Sequence, residues 1–241
     1  MKEASLPPNE KSRLDKLKSL SILDSGPEKI FDELTKVAAL VCGTPISLIS
    51  LVDEHRQWFK SRHGLDACET ERKYAFCAHA ILENQVFIVE DATKDERFHD
   101  NPLVTGPPHV IFYTGVPLTT KDGFRIGTLC VIDHKPKRLK EEQISTLKLL
   151  AEQVVSQIEL RLQAEKFKNF SSTLESILEL NKKNYDSIKE VGESYLDIGL
   201  EALNMECAII CEKKGETLQA RASKGVELDL NSKIPIEKTF C

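Results

Sequence analysis

A chain of 241 residues has room for one or two domains, each large enough to bury a core. With 41% hydrophobic and 29% charged residues it has an ordinary globular composition, and a formal net charge of −5 argues against nucleic acid or an anionic membrane surface as the main partner. No apolar run approaches the ~20 residues of a membrane span. The opening Met1-Lys-Glu-Ala-Ser-Leu-Pro-Pro8 lacks the apolar core of a signal peptide. The seven cysteines are scattered, without a CxxC pair, so a reducing cytoplasmic setting is expected rather than a disulfide framework.

Residues 1–9 are expected to form a flexible tail, since Pro7-Pro8 blocks regular structure. Leu14, Leu17, Leu20 and Leu23 then recur at near-helical spacing. Asp24-Ser-Gly-Pro27 breaks that helix, and Pro27 suits the first turn of the next. There Ile30, Phe31, Leu34, Val37, Ala38 and Val41 make one apolar stripe, ended by Gly43. Ile46–Val52 is a β-rich apolar run suited to a central strand. After the polar turn Asp53-Glu-His55, Gln57–Ser61 alternates as a hairpin partner and carries the only tryptophan, Trp58. Gly64 to Glu71 reads as a polar loop carrying Cys68.

Phe76 to Leu82 is expected to be a short helix and Val86 to Glu90 a strand. Asp91 to Val104 is a long polar loop, with one helical turn near Arg97. A loop of that length inside a compact domain is more often functional than idle. His109 to Leu118 runs out of it as a strand, Lys121-Asp-Gly123 turns, and Phe124 to Ile132 returns antiparallel.

The densest reactive chemistry lies in Arg72–Ala80, which holds Cys77 and His79, with Cys68 just upstream. The sequence also rhymes with itself. Ile236–Cys241 repeats the basic and aromatic–Cys ending of this stretch 164 residues later, about one domain on. A helix, an apolar strand, a charged turn, a second strand and Gly64 or Gly225 precede each copy. The reading is one whole domain and the first part of a second.

Several separated motifs carry a resemblance: Ile22–Glu28 with Phe31–Thr35, Ile49–Asp53 with Arg56–Ser61, Phe76–Ile81, Gly115–Leu118 and Gly127–Asp133. Together they resemble a GAF domain, of the bacterial subgroup found upstream of histidine kinase or diguanylate cyclase outputs. The resemblance implies an α/β (α+β) fold: a central antiparallel sheet of about six strands with helices on both faces, and a small-molecule pocket under the long loop. It divides the chain into the tail 1–9, a GAF domain over 10–165, a helical linker over 166–194, and the N-terminal part of a second GAF-like domain over 195–241.

In the linker region Ile144, Leu147, Val154 and Ile158 form an a/d-like seam. Ser172-Thr-Leu-Glu175 has capping-box spacing, so one helix is expected to end near Phe170 and another to begin. Leu174, Ile177, Leu180, Ile188 and Val191 continue the pattern around the polar Asn181–Asn184. A homodimer through helices 140–165 and 172–194 is expected, relaying strain to a downstream output domain.

Two functions compete. The first is a non-catalytic sensor whose pocket binds an unidentified small molecule or a partner. Its candidate ligand-binding residues are Trp58, Phe76, Cys77, His79, Asp91, His109, Tyr113 and Cys130, mixed aromatic and polar side chains on a strand face and its covering loop. The second is an enzyme. Cys68 and Cys77 resemble, in spacing, two cysteines of GAF-type free methionine sulfoxide reductases. The loop from Asp91 to His109, where that family keeps a further catalytic cysteine, has none, so the sensor is preferred. Photoreceptor relatives attach a linear tetrapyrrole to a cysteine on the stretch matching Val104–Thr114; none stands there, and no covalent bilin is expected. Nothing in the spacing singles out His79 or His109 as a haem ligand, and Cys77-x-His79 is a poor metal pair, because positions i and i+2 of a helix point apart.

Overall fold

The computed structural model describes residues 1–182, 185, 187–203, 205–226 and 233–235. They fall into two compact units, Met1–Leu162 and Gln163–Cys241. In the first, α1 (Glu10–Ser19) and α2 (Lys29–Cys42) precede β1 (Ile46–Val52) and β2 (Arg56–His63). Gly43 caps α2 in the left-handed region, as its place after the stripe suggests. A short β3 (Glu69–Glu71) and a 3-10 turn (Arg72–Tyr74) lead into α3 (Phe76–Ala80). Then come β4 (Phe87–Val89), α4 (Pro102–Thr105), β5 (Phe112–Thr119), β6 (Arg125–Asp133) and the long α5 (Glu141–Lys182), of which only the part up to Leu162 belongs to this unit.

The six strands form one antiparallel sheet in the order β3-β2-β1-β6-β5-β4. Its centre is apolar on both sides, and β1 is buried along its whole length. On one face Ile49, Leu51, Phe112, Leu129 and Val131 pack with Leu17, Phe31, Ala38, Leu147, Val154 and Ile158 of the helices. On the other, Leu48, Val52, Tyr113, Cys130 and Ile132 meet Phe76, Cys77, Phe98 and Val104. Both layers follow from the period-2 alternation of strand side chains.

Three expectations change. The N-terminal tail is placed against the long loop: the Lys2 amide donates to the Arg97 carbonyl (3.0 Å), and Pro7 is buried. The Leu147, Val154 and Ile158 seam is packed against its own sheet, each at most 1% exposed, so those residues are not free to meet a second chain. The helix does not break near Phe170: α5 runs through Ser172-Thr-Leu-Glu175, because neighbouring Glu, Leu and Lys favour helix and outweigh a capping pattern met mid-helix. Gly64–Glu71 also gains β3, whose polar Glu69-Thr-Glu71 offers no apolar signal.

A charged knot fixes the start of the segment that carries Cys77. Arg13 is 1% exposed and donates to the Val52 carbonyl (2.7 Å) at the end of β1. Arg72 donates to the Asp53 carbonyl (2.9 Å). Glu10 joins them, 2.7 Å from Arg13 and 2.5 Å from Arg72. Burial alone would raise the Glu10 pKa, but hydrogen bonds and charge from Arg13 and Arg72 hold it down to about 2.

The second unit holds α6 (Ile188–Leu203), β7 (Ala208–Lys214), β8 (Thr217–Lys224) and β9 (Lys233–Pro235), with the strands antiparallel in that order. Its hairpin reproduces β1–β2 at an offset of 161 residues. Ser47 pairs with His63 and Ala208 with Lys224, and the register slips after Ile49 and after Ile210 alike. Gly64 and Gly225 sit at φ +73° and +71°, where a Cβ would lie 2.0 Å from the Pro45 carbonyl oxygen and 2.1 Å from that of Glu206. The offset then becomes 164: β3 pairs Glu71 with Arg56, and β9 pairs Pro235 with Thr217. The expected match at Ile236–Cys241 lies outside the described residues, as do Asn184 and the Ile188 side chain.

Two predictions follow from this geometry. Gly64→Ala combines a left-handed backbone with a backbone clash and should cost about 2–4 kcal/mol in urea unfolding. Gly26→Ala, with nothing within 4 Å of its Cβ, should stay within about 0.5 kcal/mol. The Glu10 carboxyl has a folded pKa below its unfolded one, so its ion pairs stabilise fully above the unfolded value and lose their effect as pH falls through the folded one. The urea midpoint should therefore decline between pH 4.5 and about 2, and Glu10→Gln should remove part of that decline.

Candidate functional site

The segment released by Arg72 places Phe76 and Cys77 under the sheet face made by β1, β6 and β5. Phe76 stacks on Phe98 of the long loop at 4.0 Å between ring centroids and lies 5.2 Å from Tyr113. Phe87 meets Tyr113 at 6.0 Å, edge to face. His79 stands edge-on to Phe98 at 4.9 Å, its Nε2 3.1 Å from the Lys2 carbonyl. Above them the Arg97 guanidinium covers the rings of Phe87 (4.8 Å) and Phe98 (5.2 Å) and is fixed by Asp95 at 2.7 Å. The result is a closed aromatic layer lidded by a cation and the N-terminal tail.

Beneath it sits a polar knot. The Cys77 sulfur accepts from the Thr128 hydroxyl at 3.1 Å and the Tyr113 hydroxyl at 3.3 Å. Cys130 lies in the same buried cluster, and the Ser50 hydroxyl donates to Gln57 Oε1 at 3.3 Å. Ser50 and Thr128 face each other directly across β1 and β6, which explains why two small polar residues stand inside buried strands. Burial opposes ionisation here, yet these donors hold the first ionisation of the cysteine pair below the usual thiol value, centred on Cys77. The neighbouring Cys77 and then burial push Cys130 well up, and burial does the same to Tyr113. Burial lowers the His79 pKa, favouring neutral imidazole.

Of the residues singled out from the sequence, Phe76, Cys77, His79, Tyr113 and Cys130 come together. Trp58 does not: it packs with Leu51 and the helices on the opposite sheet face. Asp91 starts the loop and binds the Thr93 amide (3.1 Å) and Lys94 (2.9 Å), a local turn. His109 is exposed at φ +57°, its Nδ1 3.4 Å from the Val104 carbonyl. Cys68 is exposed beside Arg62 while Cys77 is interior, so these two cysteines stand in separate surroundings. Sequence reasoning missed Phe98, Arg97, Ser50 and Thr128. A lone aromatic within the polar run 91–104 was the available signal for Phe98.

Comparison with known proteins places this geometry. The GAF domain family matches residues 26–158. A cyclic di-GMP phosphodiesterase of Pseudomonas aeruginosa is 44% identical over 153 residues, covering 63% of this chain and 26% of that protein. The chain thus spans about a quarter of the length of this curated relative. Among solved structures, a bacteriophytochrome from the photosynthetic bacterium R. palustris has TM-score 0.56 at 11% identity, covering 86% of this chain and 49% of that one. The GAF domain from an Acinetobacter phosphoenolpyruvate-protein phosphotransferase has TM-score 0.48 at 20% identity, covering 64% of this chain and 97% of that one. With its family match extending over more than half of its length, and with the six-stranded antiparallel sheet between two helical layers, the chain belongs to the GAF domain family.

Proposed function

We propose that this chain is a non-catalytic sensory module of a bacterial signal-transduction protein. It binds a small molecule or partner at the Phe76, His79 and Tyr113 layer and relays the event through α5. The observation that carries this reading is that β5 and β6 serve both sides at once. Tyr113 and Cys130 face the candidate site, while Phe112, Leu129 and Val131 on the same strands pack against Leu147, Val154 and Ile158 of α5. A ligand that favours one arrangement of these strands changes the seat of the helix. The activity in the Pseudomonas relative's name, cyclic di-GMP hydrolysis, is the kind of output such a module would govern. Among the described residues no helix is long and apolar enough to cross a membrane, which fits the cytoplasmic placement we assign.

We read residues 195–241 as the N-terminal part of a second GAF-like domain, supported by the 161-residue register repeat. Dimerisation through α5 remains part of the reading, on a stripe that shares only Leu174 with the sequence expectation. Phe167, Phe170, Leu174 and Leu178 follow one another at spacings of three and four, on one side of the helix, and are 72%, 61%, 44% and 58% exposed. A second copy offering the same stripe would cover them as in a coiled coil.

Native mass spectrometry tests both parts. The expected species is a dimer that carries added small-molecule mass when purified gently. Phe167→Glu with Leu174→Glu should convert it to a monomer without loss of helicity. A bare monomer from the unmodified chain would contradict the proposal.

A further inference from the structure

The polar knot contains chemistry that ligand binding does not need: two cysteines from different elements in one buried cluster. Cys77 lies on α3 and Cys130 on β6, and they are 2% and 0% exposed. Both belong to one buried cluster, and Thr128, whose hydroxyl donates to the Cys77 sulfur at 3.1 Å, stands two residues before Cys130 on the same face of β6. Two hydroxyl donors, Tyr113 and Thr128, aim at the Cys77 sulfur, and hydrogen bonds to the charged form of a group favour it. The remaining described cysteines lack this setting. Cys42 is on the opposite sheet face, where burial pushes its thiol up to about 11, and Cys68, Cys207 and Cys211 are exposed.

We infer that Cys77 and Cys130 form a reversible disulfide, making this knot a site that accepts oxidising equivalents from a small uncharged peroxide. The Cys77 thiolate attacks one peroxide oxygen and the O–O bond breaks. Cys77 becomes a sulfenic acid and the other oxygen leaves as water after taking up a proton. The Cys130 sulfur then attacks the sulfenic sulfur, the S–S bond forms and a second water leaves. Two thiols lose two electrons and two protons in all, and one hydrogen peroxide becomes two waters. The aromatic lid of Phe76, Phe98 and Arg97 excludes bulky charged oxidants such as oxidised glutathione; a neutral peroxide needs only a brief opening of the loop.

Bond formation changes the site. The two sulfurs must close to about 2.05 Å, drawing α3 toward β6. It also takes the Cys77 thiolate from the Tyr113 and Thr128 hydroxyls, which then keep their 3.4 Å contact with each other. The disulfide does not depend on the sensory reading; its consequence for α5 does.

The test treats the full chain with a few equivalents of hydrogen peroxide, blocks remaining thiols, and maps peptides by mass. The expected product is a Cys77–Cys130 linked pair lacking two hydrogens, reversed by dithiothreitol. It should be absent in Cys130→Ser, retained in Cys68→Ser, and formed several-fold more slowly in Tyr113→Phe. Mapping of the unmodified chain decides the matter even where Cys130→Ser folds poorly. Stepwise oxidation of Cys77 to sulfenic and sulfinic acid without Cys130, or reaction confined to Cys68, Cys207 and Cys211, would overturn the inference. A linked pair that leaves hydrogen exchange of α5 unchanged would uphold it and count against the relay instead.

Discussion

One strand, buried on both faces, sets the terms for the whole first unit. From Ile126 to Asp133 every residue of β6 is buried, so each side chain has a fixed neighbour above or below the sheet. Leu129 and Val131 are committed to the helices; Thr128 and Cys130 are committed to the candidate site. Close packing leaves such a strand little room to move one face without the other. Its centrality, between β1 and β5, makes it the natural mechanical link between α3 and α5.

Charge ties the periphery to that centre. The Lys60 ammonium of β2 is fully buried and pairs with Glu28 at 2.6 Å, with Ser25 and the Gly26 carbonyl completing its shell. Arg161 of α5 reaches the same carboxylate at 2.9 Å. Burial raises the Glu28 pKa, but Lys60 and Arg161 together bring it below the usual value. A buried pair of this kind adds little net stability but is costly to break, because the surviving charge stays desolvated. Here it fixes where the α5 segment up to Leu162 lies against the α1–α2 connection. The Glu10, Arg13 and Arg72 knot does the same for the segment leading to Cys77.

Much of this was legible in the sequence where one physical signal dominated. Alternation and apolar runs gave the strands, Gly43 ended α2, and the internal rhyme, read at 164 residues, pointed to a strand–turn–strand before Gly225, where the hairpin register returns at 161. Reading failed where two signals competed or none existed. Leu147, Val154 and Ile158 satisfy a coiled-coil pattern and a sheet-packing pattern equally, and only tertiary contact decides between them. Trp58 has the chemistry of a ligand contact, but the face a strand residue takes depends on register, and β1–β2 shifts register after Ile49. Arg13, charged and amid leucines, gave no warning that it would be buried, because its partners come from β1 and α1 together.

The central claim is that the site and α5 are coupled through the shared strands. Amide hydrogen exchange on the unmodified chain and on Tyr113→Phe addresses it most directly, since that change removes one hydroxyl and almost no volume. The account predicts altered protection in β6 and in the Ala151–Ile158 stretch of α5, on the far side of the sheet, as well as in α3. Changes confined to α3 and the 91–109 loop would contradict it.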